Sequence, residues 1–203
     1  MKSHESKTPE KEKDLAQTPK WFIESLCSLL RIDYFELDVC ALEATKKAET
    51  CYSLQERGEN CLKLDWDLWN WLNPPFSNIK PFLEKAVYES DSGFKNTAAI
   101  MPNHPETAYV RYLKEHADTI IEMPFRLKFL RPDGTPFLDK YGKEQSPQFS
   151  CIVGIFTPLG LIKPTSYIYH DFRTGFQKKA LKVQGEKLQS EKTHAKQHNK
   201  SNT

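Results

Sequence analysis

Apolar and polar positions along this chain follow two periods, and the switches between them mark out the elements. After Thr18-Pro19, residues Phe22, Leu26, Leu29 and Leu30 fall on one helical face. Helical spacing recurs over 79–88 and over 106–116, where Tyr109, Leu113 and His116 line up and His116 reads as structural. Short β-type runs lie between: 34–41 as a first buried strand with its loop, then 51–54, 61–66, 69–72, 96–101 and 119–123. A short helix is predicted over 42–49. Further on, Phe125-Arg126-Leu127-Lys128-Phe129 alternates strongly, and 149–156 is a second β run. These two read as an antiparallel hairpin closing one edge of the sheet, joined by a basic, mobile loop over 130–148 that contains Asp133-Gly134. The order predicts an open α/β sheet in a single compact domain.

Residues 1–16 and 177–203 are expected to be disordered tails, the second of them basic, and 17–176 to be the domain. A chain of 203 residues and 23.6 kDa can bury one proper core. No apolar run nears the roughly 20 residues of a membrane span, and 151–162 is far too short. The polar start does not read as a secretory signal. Five cysteines with no C-x-x-C pair point to reduced thiols, a cytoplasmic location and no metal site.

Charge changes the picture. The net charge of +2 combines 15 Lys+Arg against 21 Asp+Glu up to Glu122 with 14 against 6 from Met123 onward. The difference is −6 in the first part and +8 in the second. A basic second part suits a polyanionic partner, although many of its lysines fall in the tail.

The stretch with the most chemistry is Trp69-Asn70-Trp71-Leu72-Asn73-Pro74-Pro75-Phe76. A short strand ends at Leu72, and Asn73 follows at its carboxyl end, where open α/β sheets place ligands. The two prolines force an extended, stiff elbow. The Asn73 side-chain oxygen and the Pro74 carbonyl can accept both N–H bonds of a planar amino group. Phe76 offers a face on which a base can stack. Taken alone, the same tetrapeptide is also a plain strand-to-helix turn. Thr18 is similarly open between two roles, an N-cap before a helix-starting proline or a contact to a ligand carboxylate.

Thr18-Pro19, Leu37-Asp38-Val39-Cys40-Ala41, Asp65-Trp66, Asn73-Pro74-Pro75-Phe76 and Arg126-Leu127-Lys128-Phe129 occur in that order. This resembles the compact phage-type DNA N6-adenine methyltransferases over residues 17–158. The resemblance implies a class I methyltransferase Rossmann-like sheet, S-adenosylmethionine as methyl donor and a flipped adenine in double-stranded DNA as acceptor. It assigns Thr18 and Pro19 to the methionine carboxylate of the donor, and Asp38, Cys40 and Ala41 to the loop under its methionine and ribose. Asp65 is assigned to its adenine amino group with Trp66 packed nearby; Asn73, Pro74, Pro75 and Phe76 take the target base. The ribose acid is either Glu56 or Glu59. Arg126, Lys128, Arg131, Lys140 and Lys143 are the expected DNA contacts.

Two departures bear on this. The 37–41 loop lacks the glycines common in methyltransferases, and the 32 residues from Ala41 to Asn73 are tight for three strands and their crossovers, so one helix is expected to shrink to a turn. Methylation of RNA or of a protein glutamine, and a non-catalytic DNA-binding protein on the same fold, are the alternatives left open.

Overall fold

The computed structural model describes residues 14–139, 141–158 and 165–174. The expected tails at 1–13 and 177–203, and Lys140, lie outside the described residues. Elements follow in the order α1 (Lys20–Leu30), β1 (Leu37–Asp38), a 3-10 turn (Glu43–Thr45), β2 (Thr50–Cys51), α2 (Leu54–Arg57), β3 (Trp69–Leu72), α3 (Lys80–Gly93), β4 (Asn96–Pro102), α4 (Ala108–His116), β5 (Thr119–Glu122), β6 (Cys151–Phe156) and β7 (Ser166–Tyr169).

All seven strands form one mixed sheet in the order β2-β1-β3-β4-β6-β5-β7. Strands β2, β1, β3 and β4 are mutually parallel. Strand β6 is antiparallel to both of its neighbours, β4 and β5, and β7 is parallel to β5. The sheet with its helices is compatible with a Rossmann-like methyltransferase fold.

Apart from the exposed edge strand β7, the sheet is covered on both faces, and period-2 alternation divides its side chains between two cores. Trp71, Ala98, Ile100, Ile121 and Val153 pack with Phe22, Ile23 and Leu26 of α1 on one face. Leu72, Ala99, Met101, Ile120 and Ile152 pack with Leu83 of α3 and Val110 and Leu113 of α4 on the other. Each fully buried aliphatic or phenyl side chain contributes about 1.5–3 kcal/mol. Gly154 stands mid-strand because Leu113 lies over it; a Cβ there would meet the leucine Cδ1 at 2.2 Å.

The register that places the site is set by Asn70, which is completely buried. Its Oδ1 accepts from the Asp67 amide (3.0 Å), while Nδ2 donates to the carbonyls of Asp67 (2.7 Å) and Asn96 (2.9 Å). These bonds tie the entrance of β3 to β4. Asn73 therefore leaves the sheet at a fixed point.

The antiparallel element differs from the expected edge hairpin: β6 lies inside the sheet, and 125–129 makes no ladder with it. The residue types explain this. Every β6 residue is buried, as an interior strand between two partners requires. The alternating 125–129 run buries Leu127 and Phe129 and exposes Arg126 and Lys128, which suits a segment covered on one side only. Its pairing comes just after, where Leu130 and Gln17 exchange backbone hydrogen bonds of 2.8 and 2.9 Å. The loop that follows is held by two turns, with left-handed Gly134 (φ 80°) and Gly142 (φ 77°).

The predicted strand over 61–66 is a turn. Asn60 accepts from the Leu62 amide through Oδ1 (3.1 Å) and from the Lys63 amide through its carbonyl (2.8 Å), and the Trp66 indole N–H closes onto the Cys61 carbonyl (2.9 Å). Losing that strand relieves the tight spacing before Asn73. The predicted 42–49 helix is reduced to the 3-10 turn over Glu43–Thr45.

Candidate active site

The elbow after β3 is strapped down by the residues just before α1. Asn73 Nδ2 donates to the Ala16 carbonyl at 2.9 Å. The Asp14 carboxylate accepts from the Ser77 hydroxyl (2.8 Å) and the Ser77 amide (3.3 Å). Residues 14–16, expected within the tail, thus belong to the site. Pro74 is buried, and the Pro75 carbonyl accepts from the Asn78 amide (3.0 Å), turning the chain toward α3. Asn73 Oδ1 is buried with no hydrogen-bond partner among the described residues. A buried amide oxygen left in this state costs about 1–3 kcal/mol. It is an acceptor waiting for a donor.

A cavity of about 410 Å³ opens at the carboxyl ends of β1, β2 and β3. Thr18, Asp38, Cys40, Ala41 and Asn73 line it, so three segments distant in sequence converge there. Thr18 does not cap α1: the N-cap is Pro19, and Thr18 Oγ1 is a second buried atom without a partner among the described residues. Pro19 is buried outside the lining.

Asp38 is 3% exposed, and its carboxylate accepts from the amides of Lys47 (2.9 Å) and Cys40 (3.4 Å). Burial pushes its pKa up to about 6, with those two amides opposing the rise. The Lys47 ammonium donates to Gln17 Oε1 (3.1 Å), and burial lowers its pKa.

Of the two acids considered for the ribose, Glu59 lines this cavity and Glu56 does not. Glu59 Oε2 accepts from the Ser53 amide (3.0 Å) and faces Arg57 Nε at 2.9 Å; the amide first and the guanidinium second hold the carboxyl below its usual range. Glu56 accepts from the Glu43 amide (2.8 Å). Asp65 is exposed, Trp66 is buried in the core, and neither lines the cavity. Asn60 and Leu62 do, in the turn that replaces the predicted strand. Reading 61–66 as a strand hid them; the turn-forming Asn60 was the available signal.

On the other side of the elbow is a cavity of about 570 Å³ with aromatic walls. Phe76, Phe129, Phe137, Phe149, His104 and Tyr109 line it. Phe76 meets Phe129 edge-on (5.6 Å, 84°) and Phe149 likewise (5.9 Å, 76°). Asn73 and Pro75 line the first cavity and Phe76 and Ser77 the second, while Asp14 and Ala16 line both. Elbow and strap together form the partition.

The predicted DNA contacts that are described lie around this aromatic cavity and are all exposed. Arg126 Nη1 donates to the Pro147 carbonyl (3.4 Å), and Pro147 is part of the cavity wall. Lys128 pairs with Glu144 (2.8 Å), and the Arg131 guanidinium sits 5.7 Å from the Phe137 ring centre. Lys143 lies in the second of the loop's two turns. Among the described residues, no three His, Cys, Asp or Glu side chains cluster as metal ligands, and no helix is long and apolar enough to cross a membrane.

The profile of the DNA N-6-adenine-methyltransferase (Dam) family matches residues 5–183. A DNA N-6-adenine-methyltransferase of Haemophilus phage HP1 (strain HP1c1) is 26% identical over 170 residues, 83% of this chain and 94% of that protein. Another, of Escherichia phage T1, is 32% identical over 116 residues, 56% of this chain and 46% of that protein. The profile spans the strap, both cavities and every strand of the sheet: the chain belongs to the DNA N-6-adenine-methyltransferase (Dam) family.

Proposed function

We propose that this protein transfers a methyl group from S-adenosylmethionine to the N6 amino group of an adenine extruded from double-stranded DNA. The observation that carries the reading is Asn73 Oδ1, a buried acceptor without a partner among the described residues, on the partition between the strand-end cavity and an aromatic one.

The strand-end cavity fits the donor by its chemistry. Thr18 Oγ1 is an unpartnered hydroxyl for a carboxylate, and Asp38 is a buried carboxylate for a cationic ligand. Cys40 and Ala41 form the loop floor, and Asn60 and Leu62 would give the donor's adenine ring one polar and one apolar neighbour. Asp65 has an indirect part, since the Tyr52 hydroxyl, on the cavity wall, donates to its carbonyl (2.6 Å). When bound, S-adenosylmethionine supplies a methyl group made electrophilic by its sulfonium.

The chain's own residues then do the positioning. Asn73 Oδ1 takes one N6 proton as a hydrogen bond, with the Pro74 carbonyl as second acceptor, so the nitrogen lone pair points along the line of transfer. Phe76 supports the base from the aromatic cavity, and extrusion is required because N6 cannot be aligned inside the stack. The strap fixes the Asn73 amide through Ala16, so little reorganisation is left for the reaction itself. No cysteine acts as a nucleophile in this scheme.

The test is transfer of labelled methyl to unmethylated duplex DNA, followed by digestion to nucleosides. Label in N6-methyladenine is the expected result. Donor bound but no label in adenine overturns the assignment.

A further inference from the structure

Two of the five cysteines touch in the wall of the strand-end cavity: Cys40 Sγ lies 3.8 Å from Cys61 Sγ. One belongs to the loop after β1 and the other to the turn after α2, and both line the cavity. Neither position belongs to a strand, so neither is held by a sheet ladder. We propose that Cys40 and Cys61 are an oxidisable dithiol whose disulfide closes the donor cavity. This rests on the reading of that cavity as the methyl donor's site.

The pair differs from the other thiols in its sulfur–sulfur contact, since Cys61 is itself buried and Cys40 half-buried. Cys27 and Cys151 are buried in the core, with burial pushing their pKa values to about 11 and about 12. Cys51 is buried beside Glu43 and Arg57. The hydrogen bond from Cys40 holds the Cys61 thiol below its ordinary range, with the Lys85 ammonium helping, whereas burial drives Cys40 well above. In the proposed reaction Cys61 is the attacking thiol and Cys40 the resolving one.

The chemistry with a peroxide balances in two steps. The Cys61 thiolate attacks one peroxide oxygen, the O–O bond breaks, and a sulfenic acid and hydroxide result. The Cys40 sulfur then attacks the sulfenic sulfur, the S–O bond breaks, and water leaves with the Cys40 proton. Both thiols are oxidised and one peroxide is reduced. Closing the sulfurs from 3.8 Å to about 2.05 Å moves the two loops together by less than about 2 Å. That motion narrows the cavity beside Asp38, whose Oδ1 accepts from the Cys40 amide, and beside Asn60 and Leu62.

The experiment treats the full-length protein with stoichiometric hydrogen peroxide and reads two signals. Mass spectrometry of a non-reduced digest reports the Cys40–Cys61 linked peptide, and calorimetry reports S-adenosylmethionine affinity. The expected result is the linked peptide with at least about a tenfold loss of affinity, both reversed by dithiothreitol. In Cys61→Ser the linked peptide is absent and peroxide leaves the variant's affinity, whatever its starting value, unchanged. Oxidation of Cys61 without the link overturns the proposal, as does a link that leaves affinity intact or an equal loss of affinity in Cys61→Ser. A protein that forms the link on oxidation but never binds the donor in its reduced form instead overturns the reading of the cavity.

Discussion

The two cavities flanking the elbow are built from different materials. The strand-end cavity takes its walls from the carboxyl ends of β1, β2 and β3, and its polar atoms are fixed by backbone hydrogen bonds and sheet register. Asp38 is held by two amides, and Asn73 by one carbonyl. The aromatic cavity is assembled from loops over 102–109 and 129–149, and ring-on-ring contacts fix its geometry. The first can distinguish a ligand by the placement of charges. The second offers aromatic walls, which discriminate little between one flat ring and another. The contrast shows how one short elbow can serve both: Asn73 faces the ordered side and Phe76 the adaptable side.

Removing the acceptor on the partition is the most severe way to break this arrangement. Asn73→Ala should reduce methyl transfer at least about a thousandfold, the upper range for losing one preorganised polar group. Donor affinity should change only a few-fold, because Thr18 and Asp38 remain. Single-turnover transfer and calorimetry measure the two quantities separately. An active variant, or one that has lost donor binding altogether, breaks the division of labour.

That division was only partly legible in the sequence. Strand β3 and the exit of Asn73 from it could be read, because Trp-Asn-Trp-Leu followed by two prolines permits little else. The helices were equally plain, since α1, α3 and α4 each carry a 3.6-residue apolar stripe. The pairing of β6 was not, because periodicity reveals a buried strand without naming its neighbours. The strap was hidden for a related reason: Asp14 and Ala16 look like tail until Asn73 and Ser77, some 60 residues away, supply partners. The lining by Asn60 and Leu62 depended on recognising a turn within an apolar-alternating run. Local pattern reports local structure; a site closed by long-range hydrogen bonds appears only in three dimensions.

Asp38 sharpens the ordered side. Asp38→Ala leaves the Cys40 and Lys47 amides without acceptors, so donor affinity should fall about 100-fold. The pH dependence follows from burial. The folded-state pKa, about 6, lies above the ordinary 3.8, so this group favours the folded state at low pH. That contribution is lost as pH rises from about 4 through 6. A cationic donor requires the ionised form, so its affinity should rise with pH up to about 6 and level off above. Titrations at pH 5.5 in buffers of different ionisation enthalpy should show a proton released on binding, and Asp38→Asn should abolish that release. A flat profile in the unaltered protein would separate Asp38 from the donor.

Phe76 tests the adaptable side. Phe76→Leu keeps an apolar wall but loses the stacking face, so the kcat/KM for DNA should fall about tenfold, within the 1–3 kcal/mol typical of base–aromatic stacking. Donor affinity should stay the same, because Phe76 lines only the second cavity. Equal losses on both sides would mean that the partition is not tight.

The smallest effect is expected at the rim, where charge meets the phosphate backbone. Lys143→Gln should weaken DNA binding only a few-fold at moderate salt and flatten the slope of log affinity against log salt by about 0.9, the signature of one lost phosphate contact. Lys128 provides the internal comparison, because its ammonium is already paired with Glu144 at 2.8 Å. Binding DNA through Lys128 would mean giving up that pair or sharing it, so Lys128→Gln should flatten the slope less than Lys143→Gln does. Glu144→Gln should then strengthen DNA binding slightly by releasing Lys128 and removing a repelling charge. Fluorescence anisotropy across a salt series resolves all three. If Lys143→Gln leaves the slope unchanged, the 130–148 loop is not the DNA-facing surface, and the aromatic cavity beside it must receive its base from another direction.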